Sequence, residues 1–319
     1  MPESVNPLIA LDCVITAEQA GQRLDQVLAA HWSDYSRSRL TQWIRGGEIT
    51  VDGETVKPSS AVQLGQQVCL RAEPQAHRPD QQAQAMTLTV LVDDPDLFVI
   101  DKPAGLVVHP GAGNPDQTLV NGLLHLDPGL AQLPRAGLIH RLDKDTSGCL
   151  VVARTDRAHR VLVEMMKDRL ISRTYLALVW GEVIAGGTIE EPIGRHPSDR
   201  RRQVVRPDGR EAITHYRVEQ RFAKATLLRV QLETGRTHQI RVHLAHQRLP
   251  IIGDPVYGRR GAPGGLAPSQ RECWQQFPRQ ALHAWRLELP HPLDASRQIE
   301  AQSPIPADFA ALLEVLDAQ

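Results

Sequence analysis

The chain has 319 residues, 41% of them hydrophobic and 23% charged, with a formal net charge of −1. That is enough chain for two domains and a substantial core, and too balanced a charge for a protein that coats nucleic acid with basic surface. No apolar run reaches membrane-spanning length and the N-terminus lacks a signal-peptide pattern. Four scattered cysteines (Cys13, Cys69, Cys149, Cys273) point to buried thiols in a reducing cytoplasm.

Composition divides the chain into three segments. In the first, residues 16–71, Gln22–His31 and Arg37–Arg45 place apolar residues at helical spacing, and Gly46 and Gly47 end the second helix. EITVDGETV then reads as two short strands around an Asp-Gly turn. The second helix carries Arg37, Arg39 and Arg45, cations suited to phosphate. Residues 72–85 (AEPQAHRPDQQAQA) are poor in apolar side chains and read as a linker. The third segment, 86–319, offers strands at TLTVLVD, LFVIDKP, CLVVAR, TYLALVWG, ITHYRVEQ, TLLRVQLE and LHAWRLEL. Its helices are expected at Asp156–Leu170, at His238–His246 and at Ala307–Leu316. Strands that follow one another without helices between them predict an α+β fold with a mixed, largely antiparallel sheet.

Residues 140–148, HRLDKDTSG, form a charged loop between two apolar runs, a natural way to present a side chain at the floor of a cleft. Asp143 is its candidate nucleophile or base, with Arg141 and Lys144 beside it. Asp145, two residues on, would face the other way on an extended segment. ETGRTHQIRVHLAH (233–246) gathers Gly, Arg, Thr and His ahead of an apolar helix. Residues 195–217 hold seven arginines against Asp199, Asp208 and Glu211 and read as a long hairpin loop. The chain lacks the HxE and PCxxC pair of zinc deaminases, as well as HExxH and GxSxG.

HRLDKDTSG, ETGRTHQIRVHLAH, SRTYLALVWG and FVIDKPAGLVVHPGAGNPDQT together resemble the RluA/RluD family of pseudouridine synthases, over nearly the whole chain. IIGDPVYG (251–258) is similar too, with little meaning alone. RLDQVLA, SRSRL and GEITVDG resemble the small S4-like (α-L) RNA-binding domain. The resemblance implies that Asp143 is catalytic, that Arg241 pairs with it, and that Tyr175 stacks on the uracil and acts as a base toward the sugar. Leu142 and Ile240 would add an apolar wall. Arg141, Arg37, Arg39 and Arg45 would contact RNA, and the loop bearing Arg200, Arg201 and Arg202 would reach into it. No metal, nucleotide or redox cofactor is implied. HPGAGNPDQT and DKDTSG resemble the D type within the family. The expected partner is therefore 23S rRNA in the precursor large subunit, at the helix 69 stem-loop, for a cytoplasmic monomer without membrane contact. Another rRNA site (C type), transfer RNA, and a non-catalytic S4 assembly factor stay open.

Overall fold

The computed structural model describes residues 9–32, 35, 37–72, 82–111, 113–199 and 201–318, with Ser38 and Arg39 by backbone only. The chain divides into two compact units, Met1–Arg78 and Pro79–Gln319. Most of the expected linker, residues 73–81, lies outside the described residues.

In the first unit, β1 (Ile9–Val14) is followed by α1 (Leu24–His31), α2 (Arg37–Gly46), β2 (Ile49–Val51) and β3 (Gln67–Ala72). Leu40, Trp43 and Ile44 recur at helical spacing on α2 and are buried with Leu24, Val27 and Leu28 of α1 against Ile49, Val51, Val68 and Leu70. Asp52 and Gly53 both take positive φ, 51° and 82°, as a tight hairpin turn demands. The turn closes on a single Val51–Glu54 bridge, however, and residues 54–57 form no strand. The partner of β2 is β3, in a sheet of order β1-β3-β2. Burial explains the choice: β3 alternates inward Val68, Leu70 and Ala72, whereas residues 54–57 have no buried side chain to commit.

The second unit begins with β4 (Thr89–Asp93) and β5 (Leu97–Lys102), then α3 (Leu119–Leu126), β6 (Ser147–Ala153), α4 (Asp156–Lys167) and β7 (Ser172–Trp180). After these come β8 (Gly187–Glu190), β9 (Ile193–Arg195), β10 (Gln203–Val205), β11 (Ile213–Arg221) and β12 (Ala225–Leu232). The remaining elements are α5 (Gln239–His246), α6 (Pro268–Gln276), β13 (Leu282–His291), β14 (Asp294–Gln302) and α7 (Ala307–Asp317). The main sheet runs β4-β5-β6-β13-β7-β12-β11-β8, with β14 added on β13. Among the described residues only the β6–β13 pairing is parallel, so the sheet is mixed and largely antiparallel, as the strand succession predicts. The apolar runs LFVI and CLVVA are continuous because this part of the sheet is covered on both faces. Phe98, Ile100, Leu150 and Val152 join one core with Leu119 and Leu123 of α3. Leu97, Val99, Val151 and Ala153 join another with Leu162 and Met165 of α4. Gly148 is required where β6 meets β13: its φ is 111°, and a Cβ there would lie 2.1 Å from the Ala284 carbonyl oxygen.

The arginine-rich stretch forms a small two-stranded hairpin of β9 and β10. Arg206 is tied to Asp208, and Arg201 is exposed. Arg202 turns toward the Tyr257 ring, 5.7 Å from its centre, and Arg200 lies outside the described residues. Among the described residues no helix is long and apolar enough to cross a membrane.

Candidate active site

A cleft of about 1020 Å³ opens in the second unit, lined by the HRLD loop, β7, the ETGR loop and the start of α5. Asp143, Arg141, Leu142, Tyr175, Ile240 and Arg241 all line it, so the residues read from separate motifs converge on one place. Asp145 does not line it. Its backbone carbonyl accepts from Arg279 at 3.2 Å, while the amide of Thr146 closes a turn onto the Asp143 carbonyl. The turn separates the two carboxylates.

Arg241 connects Asp143 to a second carboxylate. Its Nη1 donates to Asp143 Oδ2 at 2.9 Å, and its Nε and Nη2 make a bidentate pair with Asp254 at 2.7 and 2.9 Å. Asp254 also accepts from the amides of Val256 and Tyr257, at 2.9 and 3.0 Å. The side chain of Asp143 is 17% exposed, against 5% for Arg241 and 0% for Asp254, so Asp143 alone of the three is open to a ligand. Burial works against the charge on Arg241, but Asp254 and Asp143 outweigh it and the guanidinium is held above its ordinary value. Burial likewise raises Asp254, and the bonds and charge of Arg241 with the two amides outweigh it, leaving Asp254 below the ordinary carboxylate value.

His238 completes this side of the site. It caps α5 in the left-handed conformation, φ 58°, unusual for a residue with a Cβ. Its Nε2 lies 3.9 Å from Asp143 Oδ1 and its Nδ1 2.9 Å from the Tyr257 hydroxyl, which accepts from Gln203 N–H of β10 at 2.8 Å. Burial holds the imidazole below its ordinary value, against the pull of Asp143. The α5 end is fixed by Gln239, which accepts from Thr234 and from the Arg236 amide and donates to Ile213 and Thr214. Tyr175, on β7, is buried, and burial raises its phenol with help from Asp143, while Arg173 opposes.

Lys102, at the end of β5, is fully buried. Its ammonium donates to the carbonyls of Pro103, Leu106 and Lys144 at 2.8 to 2.9 Å, tying the DKPAGL loop to the HRLDKD loop. Burial pulls it down to about 7, although Asp145 and Asp143 both favour its charge. Sequence reasoning misses Asp254, Tyr257, His238 and Lys102. The last two lie inside the family-like motifs and the first two in IIGDPVYG, whose meaning emerges only when Arg241 is placed against it.

Among the described residues, nine Arg and Lys line the cleft against two carboxylates, Asp143 and Glu233. The positive charge is thus gathered locally in a chain that is close to neutral overall. In the first unit Arg37 is half-exposed and bonded to Asp25 at 2.8 Å, and Arg45 is exposed. Arg23, against the cost of burial and with help from Arg37, holds Asp25 down to about 2. The side chain of Arg39 lies outside the described residues.

The family model for RNA pseudouridylate synthases matches residues 96–246, and that for the S4 domain matches residues 22–68. Ribosomal large subunit pseudouridine synthase D of Xanthomonas campestris pv. campestris is 51% identical over 95% of this chain and 91% of its own length. The protein of that name from Pseudomonas aeruginosa PAO1 is 49% identical over 94% of this chain and 93% of its own. The solved structure of human RNA pseudouridylate synthase domain containing 4 superposes with a TM-score of 0.56 at 27% identity, over 71% of this chain and 92% of that one. At this identity over nearly the whole length of both chains, with the fold shared with a solved member, the chain belongs to the RNA pseudouridine synthase family.

Proposed function

We propose that this chain isomerises uridine to pseudouridine in 23S rRNA of the precursor large subunit, at the helix 69 stem-loop, in the cytoplasm. The observation that carries the reading is the Asp143–Arg241 ion pair at the floor of a cleft whose charged side chains are mainly cations. The target nucleotide leaves its stack and enters this cleft. Tyr175 holds the uracil, with Leu142 and Ile240 as the apolar wall. Arg241, itself anchored by Asp254, holds Asp143 aimed at the ribose–base junction. Asp143 assists cleavage of the C1′–N1 bond, whose electron pair leaves with the uracil; the uracil turns and rejoins the sugar through C5, the C5 proton passes to solvent and N1 takes up a proton in its place. Arg141 and the exposed Arg201 draw in the RNA backbone. Mapping pseudouridine in rRNA from cells lacking the gene tests the assignment: loss confined to helix 69 supports it, and intact helix 69 modification overturns it.

The first unit binds RNA phosphate in this reading, through the α2 arginines. Each unit has its own buried core, so a protein lacking residues 1–78 will fold and still convert uridine at high concentration. Its affinity for rRNA will fall, and the salt dependence will flatten by about 0.7–0.9 in log–log slope for each phosphate that the shortened protein no longer neutralises. A salt titration of full-length and shortened proteins checks this, and equal slopes would remove RNA binding from the first unit.

A further inference from the structure

Arg173 is a buried cation whose charge no carboxylate answers among the described residues. It sits on β7 two residues before Tyr175, so both side chains leave the same face of the strand, and both line the cleft. It is 6% exposed; its Nη2 reaches the carbonyls of Leu232 and Thr234 only at 3.4 Å each, and its Nε has no partner among the described residues. Gly235 lets the backbone close over the guanidinium, since a Cβ there would lie 3.0 Å from Nη1. The carboxylates of the cleft are committed elsewhere, Asp143 to Arg241 and Glu233 to Arg169 and His215.

His140 supplies a second unanswered donor on the same wall. The Val151 amide donates to its Nε2 at 3.2 Å, which places the proton of the neutral ring on Nδ1, and Nδ1 is buried without a partner among the described residues. Burial, aided by the nearby charge of Arg173, pushes the imidazole down to about 3, so it is a neutral donor at any working pH. Native proteins pair their buried donors, and two unpaired ones in one cleft wall mark a place where a ligand supplies the acceptor.

We propose that Arg173 and His140 form a subsite for a phosphodiester oxygen of the RNA, on the linkage adjoining the uridine under conversion. The charge selects phosphate over the uracil carbonyls, because a desolvated guanidinium gains most from an anion. The position beside Tyr175 selects the adjoining linkage, and this step rests on the assignment of Tyr175 to the base.

The test uses an oligoribonucleotide with one uridine that the wild-type enzyme converts, its two flanking linkages replaced in turn by uncharged methylphosphonate. At one linkage the wild type will lose about tenfold or more in kcat/KM. Arg173→Met will lose the same on unmodified RNA and will be indifferent to the neutral linkage, and Arg173→Lys will recover part of the loss as a point charge. Wild-type indifference to both neutral linkages overturns the subsite without any variant. So do losses from variant and linkage that multiply. Because the oligonucleotide is one the wild type converts, each result is independent of which RNA is the natural substrate.

Discussion

Asp143→Asn will yield a folded protein that binds RNA and makes no measurable pseudouridine. The substitution keeps the shape of the side chain and an oxygen that accepts from Arg241 Nη1, and it leaves the bidentate Arg241–Asp254 pair untouched. What it removes, in the proposed reaction, is the negative charge that stands at the sugar in the transition state. Losing the main catalytic group costs on the order of a thousandfold or more in rate, or ~4 kcal/mol. Tritium release from RNA labelled at C5 of uridine measures the loss, and a binding titration on the same RNA measures what is kept. Near-normal release would move the chemistry to another residue, and failed binding with a lowered melting temperature would mean that Asp143 is structural.

Arg241→Met will damage both stability and rate, for different reasons. Asp254 is left buried with two backbone amides and no counter-charge, and breaking a buried pair from one side costs about 3–5 kcal/mol. Asp143 loses its tether, and a displaced catalytic group costs about a hundredfold in rate. The pH dependence separates the two effects. In the wild type Asp254 lies below the ordinary carboxylate value, so its contribution is present above that value and is lost as pH falls through the folded one. In the variant burial acts without Arg241, the direction reverses, and acid stabilises the folded state by neutralising Asp254. The gap between the two proteins in urea unfolding will therefore narrow from about pH 7 toward about pH 4, the ordinary carboxylate range. A gap independent of pH would mean that the charge on Asp254 is not what Arg241 supports.

The parts of this fold that are legible in sequence are those where one physical rule acts strongly. Leu40, Trp43 and Ile44 mark α2 by period, and LFVI and CLVVA mark strands covered on both faces. The strands that escape are short or polar. β8, β9 and β10 have three or four residues each, and DASRQIEAQ, the whole of β14, buries only Ile299 and Ala301. Helix α6 buries only Trp274, and α3 escapes because its nearly continuous apolar run shows no polar face to set a period. The EITVDGETV hairpin misleads because a well-formed turn does not supply a partner with a buried face. In the site, resemblance to a known family, and not spacing, brings Asp143, Tyr175 and Arg241 together. Asp254 stays hidden because its role is defined by Arg241, whose other partner lies far back in the chain.

The grip of Lys102 on three main-chain carbonyls has a consequence for how this enzyme tolerates change. A carbonyl oxygen is the same whatever side chain its residue bears, so the clamp sets a requirement at one position and almost none at Leu106 and Lys144. Lys144 makes the case sharply, since its side chain is exposed while its carbonyl holds the loop that carries Asp143. A library of single substitutions scored for pseudouridine formation will therefore read as sharply intolerant at 102 and permissive at 144. The loop's shape is inherited from a neighbour's ammonium, which leaves the side chain at 144 free to drift while the loop that carries Asp143 keeps its course.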